Sequence, residues 1–186
     1  MNSLLAKFMG WFKNSSEESL PNGTFKCATC GKFHVGLPMD MAYKNPGRYF
    51  EIPAKERNTR IYFSTDICVI DDSEFYIRGV LPIPVVNSDD EFRWGLWAKV
   101  DKDDFDTYSK YWDGNLPDNL PALHGSLSGS MKDYPDSNMT SVEIHLQSGD
   151  QRPVFKVISD ENSLGIDQRK GITMEKVHSF VEPLLR

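Results

Sequence analysis

Residues 60–100 contain the stretch that decides the fold, RIYFSTDICVIDDSEFYIRGVLPIPVVNSDDEFRWGLWAKV. Within it, residues 60–63, 67–70 and 75–80 are runs of β-branched and aromatic residues separated by polar turns, a pattern typical of β-strands. Residues 92–100 alternate phenylalanine or tryptophan with smaller residues, as a strand with one aromatic face would. The stretch therefore predicts consecutive strands joined by turns.

Two pairs of residues in this stretch limit how the sheet can be built. Pro82 and Pro84 cannot donate backbone hydrogen bonds, so their segment is expected at an edge or a bulge. Trp94 and Trp97 lie three positions apart and are expected on opposite faces of the strand, unless Gly95 forms a bulge that brings them together. Core packing of both is the expected arrangement, whereas an exposed tryptophan beside acidic residues would be a binding anchor.

Helices are predicted on both sides of a later β-hairpin. Asp101 is expected to cap a helix that runs to about residue 112, and Thr173 to cap a C-terminal helix with an apolar stripe. Residues 142–159 are predicted to form the hairpin, and residues 113–138, with several glycines and prolines, to be mostly loop. Strands in succession with helices at separate places predict an α+β fold: a mainly antiparallel sheet flanked by helices, with an N-terminal Cys-x-x-Cys knuckle.

Residues 1–24 differ in pattern from the rest of the chain. Apolar residues at helical spacing predict an amphipathic helix over residues 3–13, followed by a polar linker; they are Leu4, Leu5, Phe8, Trp11 and Phe12. The helix is expected to dock on the domain or to self-associate. A membrane surface would attract it weakly, because Lys7 and Lys13 are its basic residues. Residues 25–186 are predicted to be a single α+β domain.

The composition is that of a soluble globular protein large enough to bury one core, with 186 residues, 39% of them hydrophobic and 26% charged. The 21 basic and 27 acidic residues give a net charge of −6, which argues against nucleic-acid binding and suits a basic protein partner. No apolar run is long enough to cross a membrane, and the first residues lack the basic start and cleavage site of a signal peptide. We expect a cytoplasmic protein with a protein partner.

Acidic residues are concentrated between residues 87 and 118, where nine of them accompany four basic residues. A solvated surface is the simplest explanation. If the region is functional, it would bind a basic partner, and a tryptophan within it would anchor the contact. The candidate partner-binding residues are Asp89, Asp90, Glu91, Trp94, Asp103 and Asp104.

Residues 25–36 contain the sequence CATCGKFH, which has the spacing of a zinc knuckle. Cys27 and Cys30 can direct both sulfurs to one ion, His34 adds a nitrogen, and Cys68 is the remaining cysteine of the chain, so one hypothesis is a structural zinc held by all four. The other is that Cys68 is an ordinary buried cysteine and His34 a surface residue. A redox role is less favoured, because the cysteine pair stands in a loop rather than at the start of a helix.

A catalytic apparatus is harder to find in the sequence. The chain has no Gly-x-Ser-x-Gly elbow, no phosphate-binding glycine loop and no His-Glu-x-x-His motif. Asp66, His124 and Asp136 are weak candidates for acid–base chemistry around an open metal position, which would require them to converge in the fold. Arg78, inside a predicted strand, is expected to pair with a carboxylate such as Asp66 or Asp71. An enzyme is therefore the less favoured interpretation.

Several further motifs follow the cysteine pair in order. They are GLP at 36–38, STDICVID at 64–71, FYIRG at 75–79, IPV at 83–85, FRWGLW at 92–97, YPD at 134–136, RP at 152–153 and RKGIT at 169–173. Together with the Cys27/Cys30/Gly31/His34 motif, they make the chain resemble a bacterial family catalogued as domain of unknown function family 2199. The likeness covers about residues 25–186. It implies a bacterial cytoplasmic protein and supplies no activity.

Two functions are compatible with these features. The first is a non-catalytic bacterial interaction protein whose acidic face captures a basic partner, for example an immunity-type protein that blocks a toxin or effector. The alternative is a small metal-dependent hydrolase that uses Asp66, His124 and Asp136. A closed four-ligand zinc site would be structural, whereas three protein ligands and a water would favour catalysis.

Overall fold

The computed structural model describes residues 24–26, 33–159 and 161–185, which form an α+β fold. The cysteine pair of the predicted knuckle and the predicted N-terminal helix lie outside the described residues. In chain order the elements are β1 (Thr24–Lys26), β2 (Phe33–Val35), β3 (Asp40–Ala42), α1 (Gly47–Glu51), a short 3-10 helix (Ala54–Glu56), α2 (Arg57–Arg60), β4 (Ile61–Phe63), β5 (Ile67–Ile70), β6 (Glu74–Pro84), β7 (Glu91–Val100), α3 (Lys102–Lys110), β8 (Leu123–Leu127), β9 (Ser141–His145), β10 (Val154–Val157), α4 (Ser163–Lys170) and α5 (Met174–Leu185).

A sheet of eight strands forms the body of the described structure, and five of these strands close into a ring. The longest strands, β6 and β7, pair antiparallel from Phe75 opposite Val100 to Pro84 opposite Glu91. β7 also pairs with β8, β8 with β9 and β9 with β10, all antiparallel, and β10 returns to β6 through a parallel contact at Val154. β3 and the β4–β5 pair extend the sheet beyond the ring. The predicted mainly antiparallel sheet is confirmed, and its closure is an additional finding.

Helix α4 and the residues after it, rather than a strand, cover part of one edge of β6 in the described structure. The carbonyl of Pro82 accepts a hydrogen bond from the side-chain amide of Gln168 (3.3 Å). The carbonyl of Pro84 accepts one from the N–H of Ile172 (2.9 Å). Because proline has no N–H, it suits an edge where only carbonyls need partners. The predicted edge position of Pro82 and Pro84 is confirmed.

The ring of strands encloses the main hydrophobic core. Alternate residues of β6 and β7 point inward, so that Leu81, Phe92 and Trp94 are fully buried. The predicted apolar stripe of α5 packs onto them: the ring of Phe180 lies 5.3 Å from that of Trp94 and 5.4 Å from that of Phe92. Burial of each large apolar side chain contributes roughly 1.5–3 kcal/mol, so this contact holds α5 on the sheet.

A smaller hydrophobic cluster covers the opposite face of the same strands. Trp97 and Cys68 are buried there together with Ile52, which comes from the segment after β3. The indole N–H of Trp97 donates to the carbonyl of Tyr43 (3.1 Å), and this bond holds the segment against the sheet. Trp94 and Trp97 thus lie on opposite faces of β7 and are both buried, as predicted.

The predicted helix starts and the predicted hairpin are confirmed. The carboxylate of Asp101 accepts a bond from the N–H of Asp104 at the start of α3 (2.8 Å). The hydroxyl of Thr173 accepts one from the N–H of Lys176 in the first turn of α5 (3.3 Å). β9 and β10 form the hairpin, joined by residues 146–153.

Several elements were not predicted: the short elements β1, β2, β3, α1, the 3-10 helix and α2, and also β8 and α4. Residues 113–138, expected to be mostly loop, contain β8, whose sequence Leu-His-Gly-Ser-Leu has little intrinsic β-propensity and pairs with a strand on each side. Helix α4 lacks a clear apolar stripe. It begins where the side chain of Asn162 accepts bonds from the N–H groups of Leu164 (3.0 Å) and Gly165 (3.3 Å). Tertiary pairing and a local cap, rather than hydrophobic periodicity, define β8 and α4.

Glu74 joins the segment after β3 to the sheet. Its carboxylate accepts hydrogen bonds from Arg48 of α1 (3.1 Å), from Lys99 of β7 (3.1 Å) and from the hydroxyl of Tyr76 (2.9 Å). Burial raises the pKa of Glu74, but these bonds to the charged form lower it by more, so the pKa lies below its ordinary value.

We expect the contribution of Glu74 to stability to depend on pH. A carboxylate whose pKa is lowered in the folded state stabilises it fully above the unfolded pKa of about 4.3, and this stabilisation is lost as the pH falls through the folded pKa. The difference in free energy of unfolding between wild type and Glu74→Gln, measured by urea denaturation, should therefore be largest near neutral pH and shrink in acid. Glu161→Gln, at an exposed position, is the control. A wild-type-to-variant difference that stays constant from neutral to acid pH would contradict this role.

Gly79 of β6 leaves room for the ring of Phe155, which is fully buried in the core. A Cβ added at Gly79 would overlap that ring. We expect Gly79→Ala to lower the free energy of unfolding by about 1–3 kcal/mol, because the core is already filled. Phe155→Leu in the Gly79→Ala background should recover part of the loss, measured as a coupling in a double-mutant cycle. If Gly79→Ala has the same free energy of unfolding as the wild type, the contact between residue 79 and the ring of Phe155 is not tight.

Candidate functional site

A cleft of about 730 Å³ lies on the outer face of β6 and β7. Its floor contains Val80 and Pro82 of β6 and Glu91 and Arg93 of β7, which alternate with residues that point into the ring. One wall is the C-terminal end of α3 with the residues after it, and the other is residues 146–153, the loop between β9 and β10. The second wall stands beside β6 because the closure of the sheet brings β10 there.

The two walls contact each other through their backbones. Gly114, in the loop after α3, has a φ of 75°, in the left-handed region that favours glycine. A Cβ added there would overlap the backbone nitrogen of Gly149 in the opposite wall, whose own φ is 70°. This contact fixes the spacing of the walls at one end of the cleft.

Aromatic side chains line the α3 wall. Tyr108, Tyr111 and Trp112 border the cleft, and the rings of Tyr108 and Trp112 meet edge to face at 5.4 Å. Tyr108 is buried, and this burial raises the pKa of its hydroxyl, to which the negative charge of Asp66 adds. Trp112 is 53% exposed. It therefore presents a large apolar surface to solvent at the cleft.

The two arginines of the cleft are already paired with carboxylates. Arg152 Nε lies 2.5 Å from Oδ1 of Asp66. Arg93 contacts Asp40 through Nε (2.7 Å to Oδ1) and Nη2 (2.9 Å to Oδ2). Two-point contacts of this kind hold a guanidinium group in a fixed orientation. Neither arginine is therefore a free positive charge in the cleft.

Glu91 and Asp150 also line the cleft, and in the described residues neither forms an ion pair within 4.0 Å. Hydrogen bonding to Asp40 raises the pKa of Arg93, and the nearby charge of Glu91 makes a smaller contribution. Two guanidinium groups, those of Arg93 and Arg152, line the cleft together with three carboxylates, those of Asp66, Glu91 and Asp150. The lining of the cleft therefore carries one excess negative charge.

Arg78 lies close to Asp66, but the predicted ion pair with Asp66 or Asp71 is not formed. Arg152 binds Asp66, and another arginine holds Asp71 through two bonds of 2.7 and 2.6 Å. Arg78 instead donates to the carbonyl of Thr65 (3.3 Å), while its buried Nε has no hydrogen-bond partner among the described residues. Burial lowers the pKa of Arg78, and the charge of Arg152 lowers it further. The prediction failed because Arg152, which is distant in sequence, binds the carboxylate of Asp66 in place of Arg78.

The predicted acidic partner-binding residues do not form one continuous face. Residues 89–91 lie in and after the turn that precedes β7, whereas residues 103–104 follow its end. The ten residues of β7 span about 30 Å, so the two groups lie at opposite ends of the strand. Glu91 lines the cleft. Asp104 accepts a bond from the N–H of His124 (2.8 Å), which ties it to β8.

Trp94, one of the candidate partner-binding residues, is fully buried, which agrees with the expected core packing and excludes it as an anchor. Its indole packs against Phe92 and Phe180 inside the ring of strands, so a partner cannot reach it. The alternation of β7 turns this side chain inward. Trp112 has the properties of a binding anchor, because it is exposed, lines the cleft and is followed directly by Asp113.

The structure does not bring the candidate catalytic residues together. Asp66 pairs with Arg152, and His124 is exposed on β8. Asp136 accepts bonds from the hydroxyl (2.8 Å) and the N–H (3.4 Å) of Ser163 at the start of α4, and the hydroxyl bond lowers the pKa of Asp136. Within the described part of the chain, no three His, Cys, Asp or Glu side chains are grouped so that they could hold a metal ion.

The predicted metal ligands are only partly covered by the structure. Cys27 and Cys30 lie outside the described residues, as does the side chain of His34. Cys68 is fully buried, and burial raises the pKa of its thiol to about 12, with a smaller contribution from Glu74. A protonated thiol among apolar side chains has the properties of an ordinary core cysteine.

Sequence reasoning missed Trp112 and Asp150 as cleft residues. Helical periodicity groups Trp112 with Phe105 and Tyr108 on the apolar side of the predicted helix. α3 ends at Lys110, however, so Trp112 lies beyond the last helical residue; its ring contacts that of Tyr108 but stays 53% exposed. Asp150 stands in a hairpin loop, where an acidic residue has an adequate explanation in turn formation. The signal that could have identified the site is a tryptophan followed by Asp-Gly directly after a helix.

The fold and the cleft define an α+β protein with a closed, mainly antiparallel sheet and a cleft that combines aromatic and acidic side chains. The chain belongs to the family of uncharacterized proteins conserved in bacteria, domain of unknown function family 2199, whose model matches residues 26–172. The resemblance drawn from the sequence motifs is confirmed. Comparison with curated proteins and with solved structures gave no match. None of the helices in the described part of the chain has the length and apolarity that crossing a membrane requires.

We expect the thiol of Cys68 to be unreactive in the native protein, because it is buried and protonated. In a Cys27→Ser/Cys30→Ser background, a thiol reagent should label Cys68 only after denaturant is added. Elemental analysis should find the same metal content in wild type and in Cys68→Ala. Rapid labelling of Cys68 in the native protein would contradict its burial. Loss of a bound metal in Cys68→Ala would show that Cys68 is a metal ligand rather than an ordinary core cysteine.

Proposed function

We propose that this protein is a non-catalytic bacterial interaction protein that binds a basic segment of a partner protein in the cleft between α3 and the β9–β10 loop. One observation carries the proposal: an exposed tryptophan, Trp112, shares the cleft with Glu91 and Asp150, which have no ion-pair partner among the described residues. Interface hot spots commonly combine an aromatic anchor with charged groups that pair with the partner.

A lysine or arginine side chain would complement this cleft through both its charge and its aliphatic stem. The cationic group would meet Glu91 and Asp150, while the stem would pack against the ring of Trp112. A cation over an indole ring contributes about 0.5–1 kcal/mol at an exposed site. The two arginines of the cleft would not cancel this attraction, since each already has a carboxylate partner.

An immunity-type protein is the more specific form of the proposal. Such a protein would cover a basic active region of a toxin or effector in the bacterial cytoplasm. Asp89 and Asp90 extend the negative charge beyond Glu91 into the turn before β7, and the net charge of −6 would steer a basic partner toward the protein. Asp103 and Asp104, at the other end of β7, would contribute to long-range attraction rather than to the contact itself.

A structural zinc is a separate proposal that rests on the spacing of Cys27 and Cys30. It does not require Cys68. Zinc found in the purified wild type and lost in Cys30→Ser would support it, and metal-free protein prepared freshly under reducing conditions would contradict it. The hydrolase alternative, which would use Asp66, His124 and Asp136 around a metal, has no observation in its favour: no three His, Cys, Asp or Glu side chains in the described residues are grouped so that they could hold a metal ion.

Affinity capture from the native bacterium tests the proposed function. The wild-type protein is expected to retain a basic protein at low salt and to release it as ionic strength rises, because salt screens charges in an open cleft. Trp112→Ala should weaken binding at least about tenfold, the effect of losing a hot-spot side chain. The double variant Glu91→Gln/Asp150→Asn should weaken it mainly by slowing association.

Two matched variants outside the cleft serve as controls. Ile158→Ala truncates an apolar side chain that is 49% exposed, and Glu161→Gln removes a charge at an exposed position that does not line the cleft. Both should change the affinity by less than about twofold. Undiminished binding by the cleft variants would contradict the assignment of the cleft. Failure to capture any basic protein, with unchanged survival of a deletion strain that expresses the product of the neighbouring gene, would contradict the interaction function.

A further inference from the structure

Aromatic side chains form a second surface outside the cleft. The aromatic patch consists of Tyr49, Phe50, Phe63 and Trp97, which come from α1, β4 and β7. Phe50 is 66% exposed and Phe63 is 42% exposed. Isolated exposed apolar residues are common in soluble proteins, but several large ones in contact usually mark a binding surface.

The rings of the aromatic patch contact one another in succession. Their centroids are separated by 5.5 Å between Tyr49 and Phe50, by 5.8 Å between Tyr49 and Phe63, and by 5.6 Å between Phe63 and Trp97. These separations are those of rings in van der Waals contact, so the patch has no gaps between its rings.

The aromatic patch continues into an apolar groove of about 220 Å³. Phe50 and Trp97 line both the patch and the groove, and Leu127 and Met131 add aliphatic surface. Trp97 itself is buried, so the ring of Phe50 connects the solvent-facing part of the patch to the groove. Patch and groove together form one continuous apolar surface.

We infer that residues 3–13 of the same chain dock on this surface. The segment lies outside the described residues, and its sequence places apolar side chains at helical spacing on one stripe, Leu4, Leu5, Phe8, Trp11 and Phe12. An apolar stripe and an exposed apolar surface in one chain meet at an effective concentration in the millimolar range. Docking within the chain is therefore favoured over association between copies at lower protein concentration. The inference is independent of the proposed cleft partner.

The connection between the segment and the surface is long enough. Thr24 pairs with Val35, which puts their Cα atoms about 5 Å apart, and the eight residues from Val35 to Tyr43 extend at most about 28 Å. Tyr43 lines the groove, so Thr24 lies within about 33 Å of it. Residues 14–23 can span about 33–36 Å when extended. A helix over residues 3–13 would be about 16 Å long, or three turns.

Hydrogen exchange of the full-length protein tests this docking. Amides of residues 4–12 should exchange at least about tenfold more slowly than expected for an unprotected chain, as backbone hydrogen bonds of a docked helix do. Phe50→Ser should remove most of that protection without changing the exchange of β6 and β7. Phe8→Ser, the reciprocal variant, alters the segment and leaves the folded domain intact. Ile158→Ser, at an exposed position outside the patch, is the matched control and should retain the protection.

Each alternative occupant gives a distinct result. Protection that grows with protein concentration, together with a dimer mass in sedimentation, would overturn the inference in favour of a second copy. Protection that requires anionic phospholipid vesicles would overturn it in favour of a membrane surface. Rapid exchange in the wild type, or protection that survives both Phe50→Ser and Phe8→Ser, would also overturn it.

Discussion

The other parts of the structure depend on the pairing of β6 with β7. Both strands are at least twice as long as any other described strand. The edge of each strand that does not face the other is therefore long enough for two shorter strands to pair with it. β3 and β8 share the edge of β7, and β5 and β10 share that of β6. This sharing allows one half of the sheet to close while the other half stays open. It also gives the two strands a buried cluster on each face, one inside the ring and one beneath the segment after β3.

Features that depend on short-range chemistry could be predicted from the sequence. Asp101 and Thr173 were identifiable as helix caps because a cap is a polar side chain directly before the helix that it starts. Pro82 and Pro84 were identifiable as edge residues because the missing N–H belongs to the residue itself. The closure of the sheet could not be predicted, since it rests on a parallel contact between β10 and β6, two strands far apart in the chain that leave no periodic trace of their pairing.

The site was less predictable, because closeness in sequence does not give distance in space. Residues 89–91 and 103–104 belong to one acidic stretch, yet β7 separates them by about 30 Å. Conversely, Asp66 and Arg152 are distant in the chain and are in direct contact. The exposure of a tryptophan likewise depends on the fold around it. Trp94 is hidden because it lies on the face of β7 that points into the ring of strands, whereas Trp112 is exposed because it lies beyond the end of α3.

The contact between Gly114 and Gly149 has an evolutionary consequence. A side chain at Gly114 would push the β9–β10 loop away from the loop after α3, and a change in the length of that loop would be needed to compensate. We therefore expect insertions and deletions in the two loops to be coupled, so that relatives change both loops or neither. Aromatic and acidic residues elsewhere on the same loops are under no such restriction. Substitutions there would change the chemical lining of the cleft and leave its width unchanged.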